Sequence, residues 1–466
     1  MIPLSLDDIA AVTGGRVHPD SAAAIVVNSA VVTDSREVVA GSMYVARHGE
    51  HADGHDYVEA AAKAGAVAAL TVREVPELPC VVVPDVTDGF AALAAEVVRR
   101  CRAHSGLRIV GITGSSGKTS TKDLLAQVIA EMGPTIAPHA SYNSEVGVPL
   151  TVARMQQDTA YLIAEMGASG VGHIDFLTQI APPDVSVVLN VGSAHLSEFG
   201  SREAIAEAKT EIVAALKPDG LAVLNADDPR VAAMAVHSPA PVLLVGRGPS
   251  AAVRADDVRL NARGQASFTM TLPGCQGLPV QLALHGEHHV DNALAVAAVA
   301  HHWGMAADEI ARSLNAARPR SRWRMEVTER TDGVTVVNDA YNANPESMAA
   351  ALRALASMRS SGRAIAVVGE MRELGDDSEA EHEKIGVLAA DLGIDDVISI
   401  GLGAAGAARS FKAIRTDAGR QIDDIDQAHS VLEGLLRHGD VVLLKSSRDS
   451  GLRYLGDSLA GGGITS

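Results

Sequence analysis

The stretch "GITGSSGKTSTKDLL", Gly111 to Leu125, constrains the fold more than any other part of the chain. The run "LRIVGIT" before and through its start has the composition of a buried strand, and Leu124, Leu125, Val128, Ile129 and Met132 recur at helical spacing after it. A glycine-rich turn is therefore held between a strand and the N-terminus of an amphipathic helix. In that setting backbone N–H groups and the helix N-terminus face an anion, Lys118 meets outer phosphates, and the Thr119 hydroxyl can ligate magnesium. The position five residues before Gly117 is Ile112, so the form is T-G-x-x-G-K-T rather than one beginning on glycine. Nucleotide binding on a parallel α/β sheet is the expectation.

The rest of the chain alternates in the same manner. Up to about residue 85, "AIVVNSAVV", "GSMYVAR" and "PCVVVPD" read as strands and "DYVEAAAKAGA" as a helix, giving a small α/β unit. From 86 to 318, the helical "AALAAEVVRRCRAH" leads into "LRIVGIT", "AYLIAEM" and "DVSVVLNVG", apolar runs suited to a sheet covered on both faces. Residues 253–284 alternate as antiparallel strands do, and a helix beginning near Asp291 closes this domain. From 319 to 466, "GVTVVNDAY", "RAIAVVGEM", "DVISIG" and "DVVLLKSS" predict a third, Rossmann-like parallel-sheet domain. Three domains, 1–85, 86–318 and 319–466, also suit a chain of 466 residues.

Composition narrows the partners. A formal charge of −18 and 3% aromatic residues argue against nucleic acid, which needs basic patches and stacking platforms. Three scattered cysteines fit a reducing cytoplasm. Asp7 and Asp8 stand where a secretory leader carries positive charge, and no apolar run approaches the roughly 20 residues of a membrane span. A cytoplasmic protein without a membrane span is expected.

Ligands of open α/β sheets sit at the carboxyl ends of the strands. There Glu165 ends "AYLIAEM" and His195 follows "DVSVVLNVG" in "NVGSAHLSEFG". Each alone could face water or cap a loop; together, beside a phosphate loop, they could hold metal ions. Lys209 falls inside the helical stripe of Ile205, Ala208, Ile212, Val213 and Leu216. It either lays its stem on apolar surface and sends its ammonium to water, or it is desolvated, more often neutral, and able to form a carbamate with carbon dioxide. Gly401, Gly403 and Gly406 form a G-x-G-x-x-G after a strand, but in mid-domain, so NAD is not expected. The guanine-reading N-K-x-D is absent.

With "TGSSGKTS", "AEMG", "NVGSAHLSEFGS" and "EAKTEI" in order, the chain resembles the Mur ligase family of ATP-dependent ligases that build the peptide stem of cell-wall precursors. "NDAYNANPESM" and "GEMRELGDDSEAEH" resemble the branch that adds D-alanyl-D-alanine to UDP-N-acetylmuramoyl-tripeptide. The resemblance implies that Gly114, Ser115, Ser116, Gly117, Lys118, Thr119 and Ser120 bind ATP phosphates. It implies Thr119 and Glu165 on one magnesium, His195 on a second, and Lys209 as a carbamate bridging toward that second metal. Asn292 would approach the adenine, Asp339 the ribose, and Arg324 the γ-phosphate from the third domain. Asp34, Ser35 and Arg36 would meet the UDP-sugar end of the substrate, with Asn143 lining the central cleft. Three positions depart from the family pattern: His289 replaces an asparagine, Trp323 a glycine before the arginine, and Ser446 a glycine in "KSSR", where a positive φ would strain serine.

The implied reaction passes through an acyl phosphate, releasing ADP and phosphate, on a monomer. A sister ligase adding diaminopimelate carries Asp-Asn-Pro-Arg in its third domain; here the nearest string is "ADDPR", at Ala226 to Arg230 in the middle domain.

Overall fold

The computed structural model describes residues 1–49, 52–194, 196–359 and 361–461. Three α/β units follow one another. In the first, strands Arg16–His18, Cys80–Val82, Ala68–Thr71, Met43–Val45 and Val31–Val32 form a sheet in that order, parallel except for the first pair.

The helix Val86–Ser105 leaves this unit. Asp85 starts it by accepting from the Thr87 and Asp88 N–H groups, and Gly106, at φ +66°, ends it. Its buried face, Phe90, Leu93, Val97 and Cys101 among others, belongs to one hydrophobic cluster that also holds Leu6 and Ile9 of the first unit and Ile109, Leu162 and Ile174 of the second.

The middle sheet runs Cys275–His285, Gln265–Leu272, Val253–Leu260, Val242–Gly246, Leu221–Asn225, Val185–Val188, Arg108–Thr113, Tyr161–Glu165, Thr135–Ile136. It is parallel from Thr135–Ile136 to Val253–Leu260 and antiparallel beyond. Leu221–Asn225 and Val242–Gly246 are strands that the sequence pattern did not single out. Arg108–Thr113 is flanked by Tyr161–Glu165 on one side and Val185–Val188 on the other, so the segments after all three strands meet at one sheet end. The helix Lys118–Ile129 packs on the buried helix His289–His302.

In the third unit the order is Glu326–Glu329, Thr335–Asn338, Val441–Lys445, Ala364–Val368, Asp396–Ile400, Arg420–Ile422. The expected all-parallel sheet has one exception: Glu326–Glu329 pairs antiparallel with Thr335–Asn338. The two are joined by a tight turn in which Arg330 and Val334 are hydrogen-bonded and Gly333 sits at φ +85°. A connection that short cannot make a parallel crossover. Gly403 and Gly406 are packing residues: a Cβ on Gly403 would lie 2.7 Å from the Glu370 carboxyl carbon, and one on Gly406 3.2 Å from the Glu379 carbonyl.

Two of the family departures acquire a physical reading. Ser446 is not among the positive-φ residues, so serine is unstrained there. Trp323, at φ +58°, does occupy the left-handed region, and so does Met325 at φ +48°. What holds Trp323 is its indole N–H, donated to Asp457 at 3.0 Å, and its ring packing against Tyr341 and Tyr454. Trp323→Phe keeps an aromatic ring but loses the bond to a carboxylate and part of the indole's packing, so urea denaturation should show a loss of at least about 1–2 kcal/mol; an unchanged midpoint would refute this. Among the described residues no helix is long and apolar enough to cross a bilayer.

Candidate functional site

The glycines of the phosphate loop are there for space as well as conformation. Gly117 sits at φ +81°, and a Cβ on it would come within 2.8 Å of Asn292 Oδ1; one on Gly114 would come within 3.0 Å of Leu189 Cβ. Asn190 braces the loop, accepting the Ser115 N–H on its carbonyl at 3.1 Å and the Ser116 N–H on its side chain at 2.9 Å. The first-turn N–H groups of Lys118, Thr119 and Ser120 have no acceptor within their helix, which leaves them for a ligand.

Lys118 folds back to donate to the Gly114 carbonyl at 2.5 Å. Burial pulls its ammonium below the ordinary lysine pKa; Glu165 works against that fall and Arg324 adds to it. Thr119 Oγ1 and Ser141 Oγ lie 2.9 Å apart. Arg324, from the third unit, donates to both, at 3.1 and 2.9 Å, with its guanidinium over the Tyr341 ring. Arg324 and the phosphate loop are thus brought together across two units.

Glu165 is 1% exposed. One carboxylate oxygen accepts from Asn143 Nδ2 at 2.8 Å; the other is buried with no hydrogen-bond partner among the described residues. An open anionic oxygen is costly without a cation. With the Thr119 hydroxyl it offers the hard oxygen donors that magnesium prefers, so the residues fit that ion.

Lys209 lies on the helix Arg202–Ala214 and is 4% exposed, buried beside Ile205, Ala208 and Ile212. It does not reach the outer surface. It lines a cleft of 670 Å³ shared with Lys118, Asn143 and His173. Burial, then the Lys118 charge, lowers its pKa to about 7, so a substantial part of it is neutral near that pH. No hydrogen bond or carboxylate partner holds it among the described residues, and what its amine faces is the cleft. His195 lies outside the described residues.

A second pocket, of 150 Å³, opens between the middle and third units, lined by Ser116, Gly117, Asn190, Asn292, Asp339 and Lys445, among others. Asn292 lies against Gly117 and contacts His289 at 3.3 Å. Burial keeps His289 and its neighbour His288, whose ring is tilted against it, well below the usual histidine pKa, His288 at about 4, so both are neutral. Asp339 accepts from the Met325 N–H at 3.0 Å and from Lys445 Nζ at 2.6 Å.

Sequence reasoning missed Lys445, Asn190, Asn344 and Glu346 as individuals. Asn344 donates to the Ser115 carbonyl at 3.2 Å. Glu346 accepts from the Ser193 N–H at 3.0 Å and from Arg202 at 3.2 Å, docking the third unit on these two residues of the middle one. Both lie in the quoted "NDAYNANPESM", which was the available signal. Asp34, Ser35 and Arg36 share no hydrogen bond, ion pair or cavity with the phosphate loop among the described residues. Asp34 caps the short helix Ser35–Glu37 and pairs with Arg36 at 2.6 Å, an exposed and locally neutralised pair.

Comparison with known proteins gives the family. Residues 29–111 match the description "Mur ligase family, catalytic domain", 112–300 "Mur ligase middle domain" and 323–448 "Mur ligase, glutamate ligase domain". The chain is 44% identical to the UDP-N-acetylmuramoyl-tripeptide–D-alanyl-D-alanine ligase of Mycobacterium tuberculosis, covering 98% of each chain. It is 34% identical to the Bacillus subtilis protein of that name, over 90% of each. Among solved structures, MurF from Acinetobacter baumannii superposes with a TM-score of 0.88 at 29% identity, covering 98% of this chain and 99% of the other. MurF from Thermotoga maritima in complex with ADP gives 0.80 at 31%, covering 93% and 97%.

Proposed function

The chain belongs to the Mur ligase family, and from that premise we propose that it joins D-alanyl-D-alanine to UDP-N-acetylmuramoyl-tripeptide, consuming ATP, in the synthesis of peptidoglycan precursors. The observation that carries the reading at the site is the placing of Lys209 and Asn143 on one cleft with Lys118, beside the open oxygen of Glu165. A nucleotide switch has no use for such a set. Division into units ending near residues 85 and 318, and work in the cytoplasm, belong to the same reading.

The chemistry follows from making an amide in water. The terminal carboxylate of the tripeptide attacks the γ-phosphate of ATP to give an acyl phosphate, and two anions must meet in that step. Lys118, the first-turn N–H groups and Arg324 offset their repulsion. Thr119 and Glu165 would hold a first magnesium, and His195 with carbamylated Lys209 a second. Magnesium bound there supplies charge neutralisation that side chains alone do not. In the second step the amine of D-alanyl-D-alanine displaces phosphate.

Water would destroy the acyl phosphate, so Asn344 and Glu346, which seat the third unit on the middle one, serve to exclude it. Asn292 and Asp339 would hold the nucleoside in the 150 Å³ pocket. Asp34, Ser35 and Arg36 would meet the UDP-sugar once it separates or spans their pair.

The experiment measures phosphate release by the purified protein with ATP and UDP-N-acetylmuramoyl-tripeptide, with and without D-alanyl-D-alanine. Release should depend on the dipeptide. Equal release when the dipeptide precursor and free diaminopimelate are supplied instead would reject the assignment.

A further inference from the structure

The N-terminus of the helix Lys118–Ile129 separates two openings. Lys118 lines the cleft shared with Lys209 and Asn143. Thr119 lines a different one, of 510 Å³, bounded by that helix, by residues 135–141 and by residues 320–324 with Tyr341. Lys118, Lys209 and Asn143 face the first, whereas Thr119 and Arg324 face the second. The second has a different character.

Lys122, His139, Arg154, Arg320, Arg322 and Arg324 line it, against a single carboxylate, Asp123. That carboxylate is already engaged by Lys122 and by the Ser321 N–H. Arg322 is paired outside the cavity with Asp457 at 2.9 Å. The other three arginines have no carboxylate partner among the described residues. Arg154 donates only to the Ala137 carbonyl at 2.9 Å, and burial holds its guanidinium below the ordinary arginine pKa. Arg324 reaches only the neutral hydroxyls of Thr119 and Ser141, and Arg320 has no hydrogen bond or ion pair among the described residues.

The chain has 57 acidic residues against 39 lysines and arginines. Three guanidiniums without a carboxylate, converging on one cavity in so acidic a protein, are matched to an anion from outside.

The reaction supplies that anion at the right end of the cavity. This step rests on the ligase reading above. When the amine attacks the acyl phosphate, the C–N bond forms and the bond between carbonyl carbon and phosphate oxygen breaks. Phosphate departs with that electron pair and takes up the proton that the amine loses, leaving as hydrogen phosphate. Thr119 and Arg324, placed for the γ-phosphate, are also the inner wall of the cationic cavity. We propose that this cavity is the exit site for inorganic phosphate, in which Arg154 and Arg320 take the anion from Arg324 and lead it out on the side of the helix away from the peptide cleft. Planar guanidiniums suit a phosphate because they can bind two of its oxygens at once. A separate exit lets phosphate leave while peptides still fill the cleft at Lys118.

The test uses the full-length enzyme and inorganic phosphate itself. Ligation is followed by ADP formation at increasing phosphate, and binding of radiolabelled phosphate to the ADP-bound enzyme is measured by equilibrium dialysis. In Arg154→Ala and in Arg320→Ala, phosphate should inhibit and bind about tenfold more weakly, the loss of one charge-assisted contact. Michaelis constants for ATP and both peptides should stay within about twofold, as uniform binding to them is untouched.

Unchanged phosphate affinity in both variants overturns the proposal. So does a selective rise in the Michaelis constant for D-alanyl-D-alanine, which would make the cavity a peptide-carboxylate site. Arg154→Lys keeps the charge and covers the case in which alanine fails to fold there, and it should give an intermediate affinity. If the wild-type enzyme releases no dipeptide-dependent phosphate, the ligase reading has failed. If it does, and phosphate affinity ignores both arginines, the exit site alone has failed.

Discussion

Lys209→Ala should lower the ligation rate by about 10³-fold, or ~4 kcal/mol of transition-state stabilisation, and added acetate or formate should restore part of it. The expectation rests on placement. A lysine 4% exposed, with its amine in the same cleft as Lys118 and no carboxylate partner among the described residues, is a poor structural choice unless the amine is altered or used. As a carbamate it becomes an anion, suited to the metal-facing position it would share with Glu165. Alanine leaves room for a small carboxylate to take over that charge, which a lost packing contact would not permit. Steady-state phosphate release, with and without the short acids, checks it. A fully active Lys209→Ala enzyme would mean that the lysine only fills the apolar stripe.

The second large effect is expected at Glu165. Gln is nearly isosteric and can still accept from Asn143, so Glu165→Gln should fold normally. It replaces the unpartnered carboxylate oxygen with an amide and removes the negative charge. Turnover should fall by about 10²-fold, and the magnesium concentration for half-maximal rate should rise, since a hard cation loses an anionic ligand. A magnesium titration of phosphate release reads both. Wild-type turnover at wild-type magnesium would remove Glu165 from the metal site.

The features most legible in the sequence were local. The phosphate loop announces itself through its neighbours, a strand before Gly114 and a helical stripe after Thr119. Lys209 stood out because helical periodicity alone put a charge on an apolar face, and it is buried there. Strands Leu221–Asn225 and Val242–Gly246 were harder to place, because five-residue apolar runs fit a strand or part of a buried helix equally well. Glu326–Glu329 carries almost no apolar signal, since an edge strand needs little.

Contacts made only in three dimensions had no local sign. Nothing adjacent to Lys445 predicts that it meets Asp339, and "NDAYNANPESM" marks Asn344 and Glu346 as parts of a motif without showing that they grip the middle unit. The UDP-sugar role of Asp34 and Arg36 came from the family resemblance alone, and their mutual ion pair at two residues' separation is a contact that the resemblance did not include.

Asp339 carries a consequence for reading mutants. Its two oxygens hold Lys445 and the backbone N–H of Met325, the left-handed residue immediately after Arg324. The carboxylate we propose for the ribose is therefore also the splint behind Arg324, the guanidinium proposed for the other end of the nucleotide. A substitution there would slacken both grips at once, so a kinetic defect in Asp339 variants would register damage at the phosphate end as well as at the sugar.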